Sequence, residues 1–232
     1  MTRQTQGLLL AFLGAVLVRL SITDAYLRYV TPWMKWPLLV SGLVLLALAL
    51  GPALGLSGRE GPAGDHGGHA HRVPVVTWLL VLPGLVTFVV SPPELGSYLA
   101  ERRSGDTVAA PRPATVADLD ASQGPVKVAV SEFVWRAQDG GSTLEGQPVR
   151  LVGFVSYGDA GAWYVTRLTI GCCAADALAY QVQVEGAERP ARDRWVQVDG
   201  VYATGTGTDL ATVPVLDAET VTEVEAPARQ YE

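Results

Sequence analysis

WPLLVSGLVLLALALGPALGLSG, residues 36–58, runs for 23 residues without a charge. About 20 apolar residues suffice for a helix to cross the hydrocarbon of a bilayer, so this stretch predicts a transmembrane span. Upstream, Gly7 to Ala25 is also apolar and is charged only at Arg19 and Asp24, near its end. No small-x-small cleavage site follows it, and the chain continues through Tyr26-Leu27-Arg28-Tyr29, so the stretch reads as a span and not as a signal peptide. Downstream, Val73 to Pro93 gives a further 21 uncharged residues. The expectation is a membrane α plus all-β protein: three N-terminal transmembrane helices, then a small β-barrel domain.

An odd number of spans puts the N-terminus and the C-terminal domain on opposite sides. The flanking charges do not decide which, with Arg3, Arg59 and Arg72 on one side and Arg28, Lys35, Arg102 and Arg103 on the other. The expected location is the plasma membrane, multi-pass, with the β domain extracytoplasmic and membrane lipid as one partner. Arg19 lies about one turn from Asp24, where pairing or snorkelling satisfies it. The spans carry almost no other ionisable residue, so three helices alone enclose no polar path and transport requires a partner.

The composition changes near Pro92 and Pro93. Six basic residues stand against three acidic ones up to that point, and 11 against 20 beyond it. Residues 1–93 read as the membrane anchor, 94–124 as a linker that opens with a short amphipathic or helical lead over Glu94 to Ser104 and carries Pro111 and Pro113 among small residues, and 125–232 as the β-rich domain. A domain this acidic is repelled by polyanions, which excludes nucleic acid as a partner.

Between the second and third spans, residues 58–72 form a glycine-rich loop holding all three histidines of the chain, His66, His69 and His71, beside Asp65. Imidazole is a common ligand for zinc, copper and nickel, so the loop is a candidate for metal capture. A solvated polar loop with idle histidines is the alternative.

Beyond the linker, apolar alternation punctuated by glycine predicts short strands at 126–130, 149–156, 163–170, 179–184, 195–203 and 212–224. Five or six such strands in about a hundred residues fit a small barrel or sandwich, and 146–155 resembles the opening strand of an OB-fold.

The most distinctive segment is Arg167-Leu168-Thr169-Ile170-Gly171-Cys172-Cys173-Ala174-Ala175-Asp176-Ala177, which contains both cysteines of the chain. Glycine before the pair and small residues after it predict a turn where two thiols and the Asp176 carboxylate converge. A trans peptide holds neighbouring Cα atoms ~3.8 Å apart, below the usual bridging range, so a disulfide between them is disfavoured. Thiolates select soft ions, which makes Cys172, Cys173 and Asp176 candidate ligands for a transition-metal ion such as zinc. The competing readings are two small buried hydrophobes at a strand end, and Asp176 as a turn or N-cap residue.

At these residues the chain resembles the YcgQ-like family of permease subunits, whose members join short N-terminal spans to a domain with an Arg-x-x-Ile-x-Cys-Cys-Ala-Ala-Asp-Ala type motif. The histidine-bearing connector before the last span is also similar. The resemblance implies a multi-span, arsenical-permease-like partner, to which the chain is an accessory subunit. Metal handling is read from the histidines and cysteines and is not supplied by the resemblance.

The expected function is therefore a non-enzymatic accessory subunit of a membrane permease that binds or gates a solute through its β domain. One rival is a membrane-anchored thiol redox enzyme using the cysteine pair. The domain beyond Pro93 has no histidine and only Lys127 as lysine, so Arg167 is the candidate for lowering a thiol pKa. A structural scaffold is the other rival. No phosphate loop, nucleophile elbow or dinucleotide fingerprint occurs beyond Pro93.

Overall fold

The computed structural model describes residues 3–51, 82, 85–86, 95–102, 109–110 and 118–232. The chain divides into two compact units, 1–94 and 95–232, each described by itself.

In the first unit, helix α1 (Arg3–Ile22) is followed by two short 3-10 turns and helix α2 (Lys35–Leu50). The second turn, Pro32–Met34, opens with a proline whose missing N–H costs nothing at a helix start, and it runs into α2. Pro32–Leu50 is thus a continuous helical stretch of 19 residues with mean hydropathy 1.8, long and apolar enough to cross a membrane. At 1.5 Å per residue it spans roughly 28 Å, close to the hydrocarbon thickness. Trp36, Val40, Leu43, Val44 and Leu48 are exposed along it, a face suited to lipid and not to water.

The apolar part of α1, Gly7–Ile22, is shorter than a full span. It stops where Asp24 turns the backbone into the left-handed region, at φ 55°. The side chain of Asp24 pairs with Lys35 at 3.4 Å across the connector. The expectation of three spans is thereby reduced to one helix of spanning length and one shorter apolar helix among the described residues. The third expected span lies outside them apart from Leu82, Leu85 and Val86, which are helical and exposed.

The two helices approach closely at glycines. A Cβ on Gly14 would stand 2.8 Å from Gly42 O and 2.9 Å from Leu46 Cγ, and one on Gly42 would stand 2.9 Å from Val18 Cγ2. Small residues at such a crossing let backbones touch where no hydrophobic effect drives helices together.

The second unit contains α3 (Ser97–Arg102), β1 (Val126–Lys127), α4 (Val130–Gln138), β2 (Pro148–Tyr157), β3 (Trp163–Thr169), β4 (Leu178–Glu185), β5 (Trp195–Tyr202) and β6 (Val215–Glu223). The sheet has six strands in the order β1-β2-β3-β4-β6-β5, and β2 also pairs with β5, which closes the cycle. Long β2 makes this possible: residues 148–154 run antiparallel to β5 and residues 154–157 antiparallel to β3. Gly153 sits where β2 passes from one partner to the other, and a Cβ there would stand 2.5 Å from Thr166 O. β4 and β6 are parallel, with Gln183 opposite Val215.

Alternate residues of the strands fill the interior with Val149, Leu151, Val155, Val165, Val182, Val196, Val198 and Leu216. α4 packs against that core through Val130, Phe133, Val134 and Ala137, and Phe133 meets Tyr202 edge to face at 5.7 Å. The strand expected over 126–130 is shortened to Val126–Lys127, and the helix begins at its last expected residue, Val130. Its apolar residues sit at helical spacing, but over nine residues that period is too short to outweigh the alternation around it.

The stretch read as a linker over 94–124 contributes structure to this unit. α3 places Leu99 and Ala100 against Phe154, Leu168 and Trp195. It is held there because Ser97 N–H donates to Asp193 Oδ1 at 2.7 Å and Glu101 Oε1 accepts from Tyr157 N–H at 3.0 Å.

Candidate functional site

The cysteine pair lies in the connection between β3 and β4, whose last paired residues are Thr169 and Leu178. Strand character thus ends at Thr169, just before the loop over 170–177, and a single 3-10 turn, Ala174–Asp176, returns the chain to β4. Cys172 is exposed, Cys173 is half-buried, and both are free thiols.

Asp176 organises the loop. Its Oδ1 accepts from Gly171 N–H at 3.0 Å and its Oδ2 accepts from Cys172 N–H at 2.7 Å, while its own N–H donates to Cys173 O at 3.0 Å. The carboxylate folds back over Gly171, where a Cβ would stand 3.1 Å from Oδ2. Glycine before the pair therefore makes room for the carboxylate that fixes the loop.

The Asp176 carboxylate and the Cys173 side chain both act on the Cys172 thiol. The consequence is electrostatic. Asp176 first, and Cys173 second, push the Cys172 thiol up to about 11. The same thiol, followed by the Cys172 backbone N–H, holds the Asp176 carboxyl below its ordinary value. The two shifts agree: this geometry favours a protonated thiol beside an ionised carboxylate. An activated nucleophile needs the opposite, a thiolate stabilised by positive charge.

Arg167 does not supply that charge. Buried on β3 opposite Tyr180, it donates from Nη2 to Arg229 O at 3.1 Å, pairs with Glu232 at 3.5 Å and lies 5.0 Å from the centre of the Trp195 ring. The motif residue is thus committed to the interior of the domain. Its partner Glu232 lies far along the chain, and no local spacing points to it.

Among the described residues, no group of three or more His, Cys, Asp or Glu is assembled to hold a metal ion. Each Asp176 oxygen accepts from a backbone N–H group, and the two free thiols are the soft donors of the loop. His66, His69 and His71 lie outside the described residues.

Residues 138–232 match the family model described as the DUF1980 C-terminal domain. YcgQ-like proteins belong to DUF1980, a family of membrane-associated proteins, so the resemblance carried by the cysteine motif stands for this domain. The match says nothing of a permease partner. No curated protein matches the chain. Among solved structures, a DUF3299 family protein from Pseudomonas aeruginosa PAO1 aligns over 45% of this chain and 99% of its own at 15% identity, with a TM-score of 0.27. That level of similarity carries neither fold nor function.

Proposed function

We propose that the chain is a membrane-tethered, non-enzymatic accessory subunit of a multi-span permease, whose β domain offers the Cys172-Cys173 pair to a thiophilic transition-metal ion. The observation that supports this reading is the loop over 170–177, where two free thiols lie side by side in an exposed hairpin connection fixed by Asp176. Two sulfur donors suit a soft ion that accepts low coordination, such as monovalent copper. Zinc asks for three or four ligands and would need donors beyond this loop.

The β domain is read as OB-like, because five of its strands close in the cycle β2-β3-β4-β6-β5 with a parallel β4–β6 pair. The domain is placed outside the cell, with the apolar helices in the plasma membrane. The thiol-enzyme reading is disfavoured by the direction of the Cys172 shift and by the commitment of Arg167 to Glu232.

Three measurements test the proposal. Titrating the full chain in detergent with monovalent copper under anaerobic conditions should show one ion bound per chain. Cys172→Ser and Cys173→Ser should each weaken binding by at least about tenfold, and equal affinity in wild type and both variants would remove the metal reading. Affinity purification from solubilised membranes should retrieve a multi-span transport protein, and its reproducible absence would leave the scaffold reading. Labelling the thiols in intact cells with a membrane-impermeant maleimide should modify Cys172, and modification only after lysis would place the domain inside.

A further inference from the structure

Residues 229–232 lie along β3 beyond Thr166, where its pairing with β2 ends. Leu168 and Tyr231 form a parallel bridge, and Glu232 N–H donates to Leu168 O at 2.9 Å. Tyr231 packs with Phe154 and Leu168. The segment is joined to β6 through residues 224–228, which include Pro227 and carry no helix or strand.

The Glu232 carboxylate reaches the start of α4. Its Oε1 accepts from Val130 N–H at 2.9 Å, and its Oε2 accepts from Ser131 N–H at 2.9 Å and from Ser131 Oγ at 2.6 Å. A helix start leaves N–H groups unsatisfied, and a Ser, Thr, Asp or Asn at the N-cap usually accepts from one of them. α4 has Ala129 in that position, which makes no side-chain cap. The helix therefore takes its cap from elsewhere.

The second component is Arg167, 7% exposed, with Nε and Nη1 buried and lacking hydrogen-bond partners. Its Nε stands 3.5 Å from Glu232 Oε1 and its Nη2 donates to Arg229 O. Burial lowers the guanidinium pKa and Glu232 raises it, so the buried cation is sustained by an anion in this place. A helix start with no side-chain cap of its own, a buried cation with two N–H positions lacking hydrogen-bond partners and the strand edge that β2 leaves meet at one point, where residues 229–232 engage all three. Each matches one feature of an extended segment that bears an aromatic residue followed by a side-chain carboxylate.

We propose that β3 beyond Thr166, the N-terminus of α4 and Arg167 form a receptor for an extended peptide segment bearing an aromatic residue followed by a carboxylate, and that residues 229–232 are its resident, displaceable ligand. A partner presenting the same chemistry takes the place of the tail, and the strand that leads into the cysteine loop is where that exchange occurs.

The test uses the full chain in detergent, wild type and Glu232→Gln. Trypsin cleavage after Arg229, whose carbonyl is held by Arg167, should be roughly tenfold faster in the variant, and the Val130 and Ser131 amides should lose hydrogen-exchange protection. Adding a C-terminally amidated peptide, Pro-Ala-Arg-Gln-Tyr-Glu, to the variant should restore protection at Val130 and Ser131. The same peptide ending in Gln should not. If Glu232→Gln fails to fold, Ser131→Ala, which deletes one of the three bonds, serves with the same readouts and a smaller expected acceleration. Unchanged cleavage and exchange in a folded variant, or failure of the acidic peptide to restore protection, would overturn the proposal. Protection of wild type that rises with protein concentration would support it and identify the tail of a second copy as a natural ligand.

Discussion

Two carboxylates in the β unit perform the same task in different settings. Asp176 and Glu232 each accept from two consecutive backbone N–H groups, at Gly171 and Cys172 in the first case and at Val130 and Ser131 in the second. Asp176 reaches back four and five residues and fixes an exposed loop. Glu232 reaches across 101 and 102 residues, and its side chain is 13% exposed. The local carboxylate shapes the cysteine loop and favours the protonated Cys172 thiol. The distant one joins a tail, a strand and a helix, and has a buried arginine as its counter-charge. The same pairing of a carboxylate with two consecutive backbone N–H groups thus shapes a loop in one place and joins distant segments in the other.

The largest effect belongs to the packing beneath the distant carboxylate. Phe133 is fully buried in α4 against Tyr202, so Phe133→Ala should cost about 3–5 kcal/mol in denaturant unfolding followed by tryptophan fluorescence. Should it cost less than Glu232→Gln, the cap and not the core would be what seats the helix. Glu232→Gln itself should cost about 1–3 kcal/mol, because it removes a charge-assisted cap and strands the buried guanidinium of Arg167.

At the local carboxylate the effect should appear in reactivity. Asp176→Asn removes the first cause of the raised Cys172 pKa, so alkylation of Cys172 at pH 8 should accelerate by roughly tenfold or more. An unaltered rate would show that the carboxylate does not govern the thiol.

The stability linkage carries the smallest effect, and its sign is fixed. A thiol whose pKa is higher folded than unfolded stabilises the fold below its unfolded value of 9.0, and that contribution fades as pH rises through about 11. A melting temperature that falls slightly between those values in wild type, and does not in Cys172→Ser, is the expected pattern. Asp176 acts in the opposite window. Its lowered pKa gives stability that is present above its unfolded value of 3.8 and lost as pH falls through the folded one.

The same contrast explains what could be read in advance. The turn was legible because its determinants are local: glycine before two cysteines, small residues after them and a carboxylate four residues on, which closes onto the Gly171 and Cys172 amides. The strands were legible from alternation to within a residue or two at most ends. What escaped were arrangements set by distant partners. Ala129-Val130-Ser131-Glu132 contains no capping residue where α4 begins, so the helix was hidden, and the missing cap was its one trace. Arg167 was singled out by its motif and assigned to the thiols beside it in sequence, while its partners lie at 195, 229 and 232. α3 was legible as a short helical lead over Glu94 to Ser104, but its docking through Asp193 and Tyr157 was not, because those partners lie far along the chain.

The pH profile of Cys172 alkylation in the full chain is the most direct test of the site. Followed by mass spectrometry with iodoacetamide, the rate for Cys172 should climb by about tenfold per pH unit from neutrality and level off only near 11, as expected for a thiol kept protonated by its carboxylate neighbour. A midpoint at or below the ordinary thiol value of about 8.5 would mean that the loop activates Cys172, and would return the thiol-enzyme reading to first place.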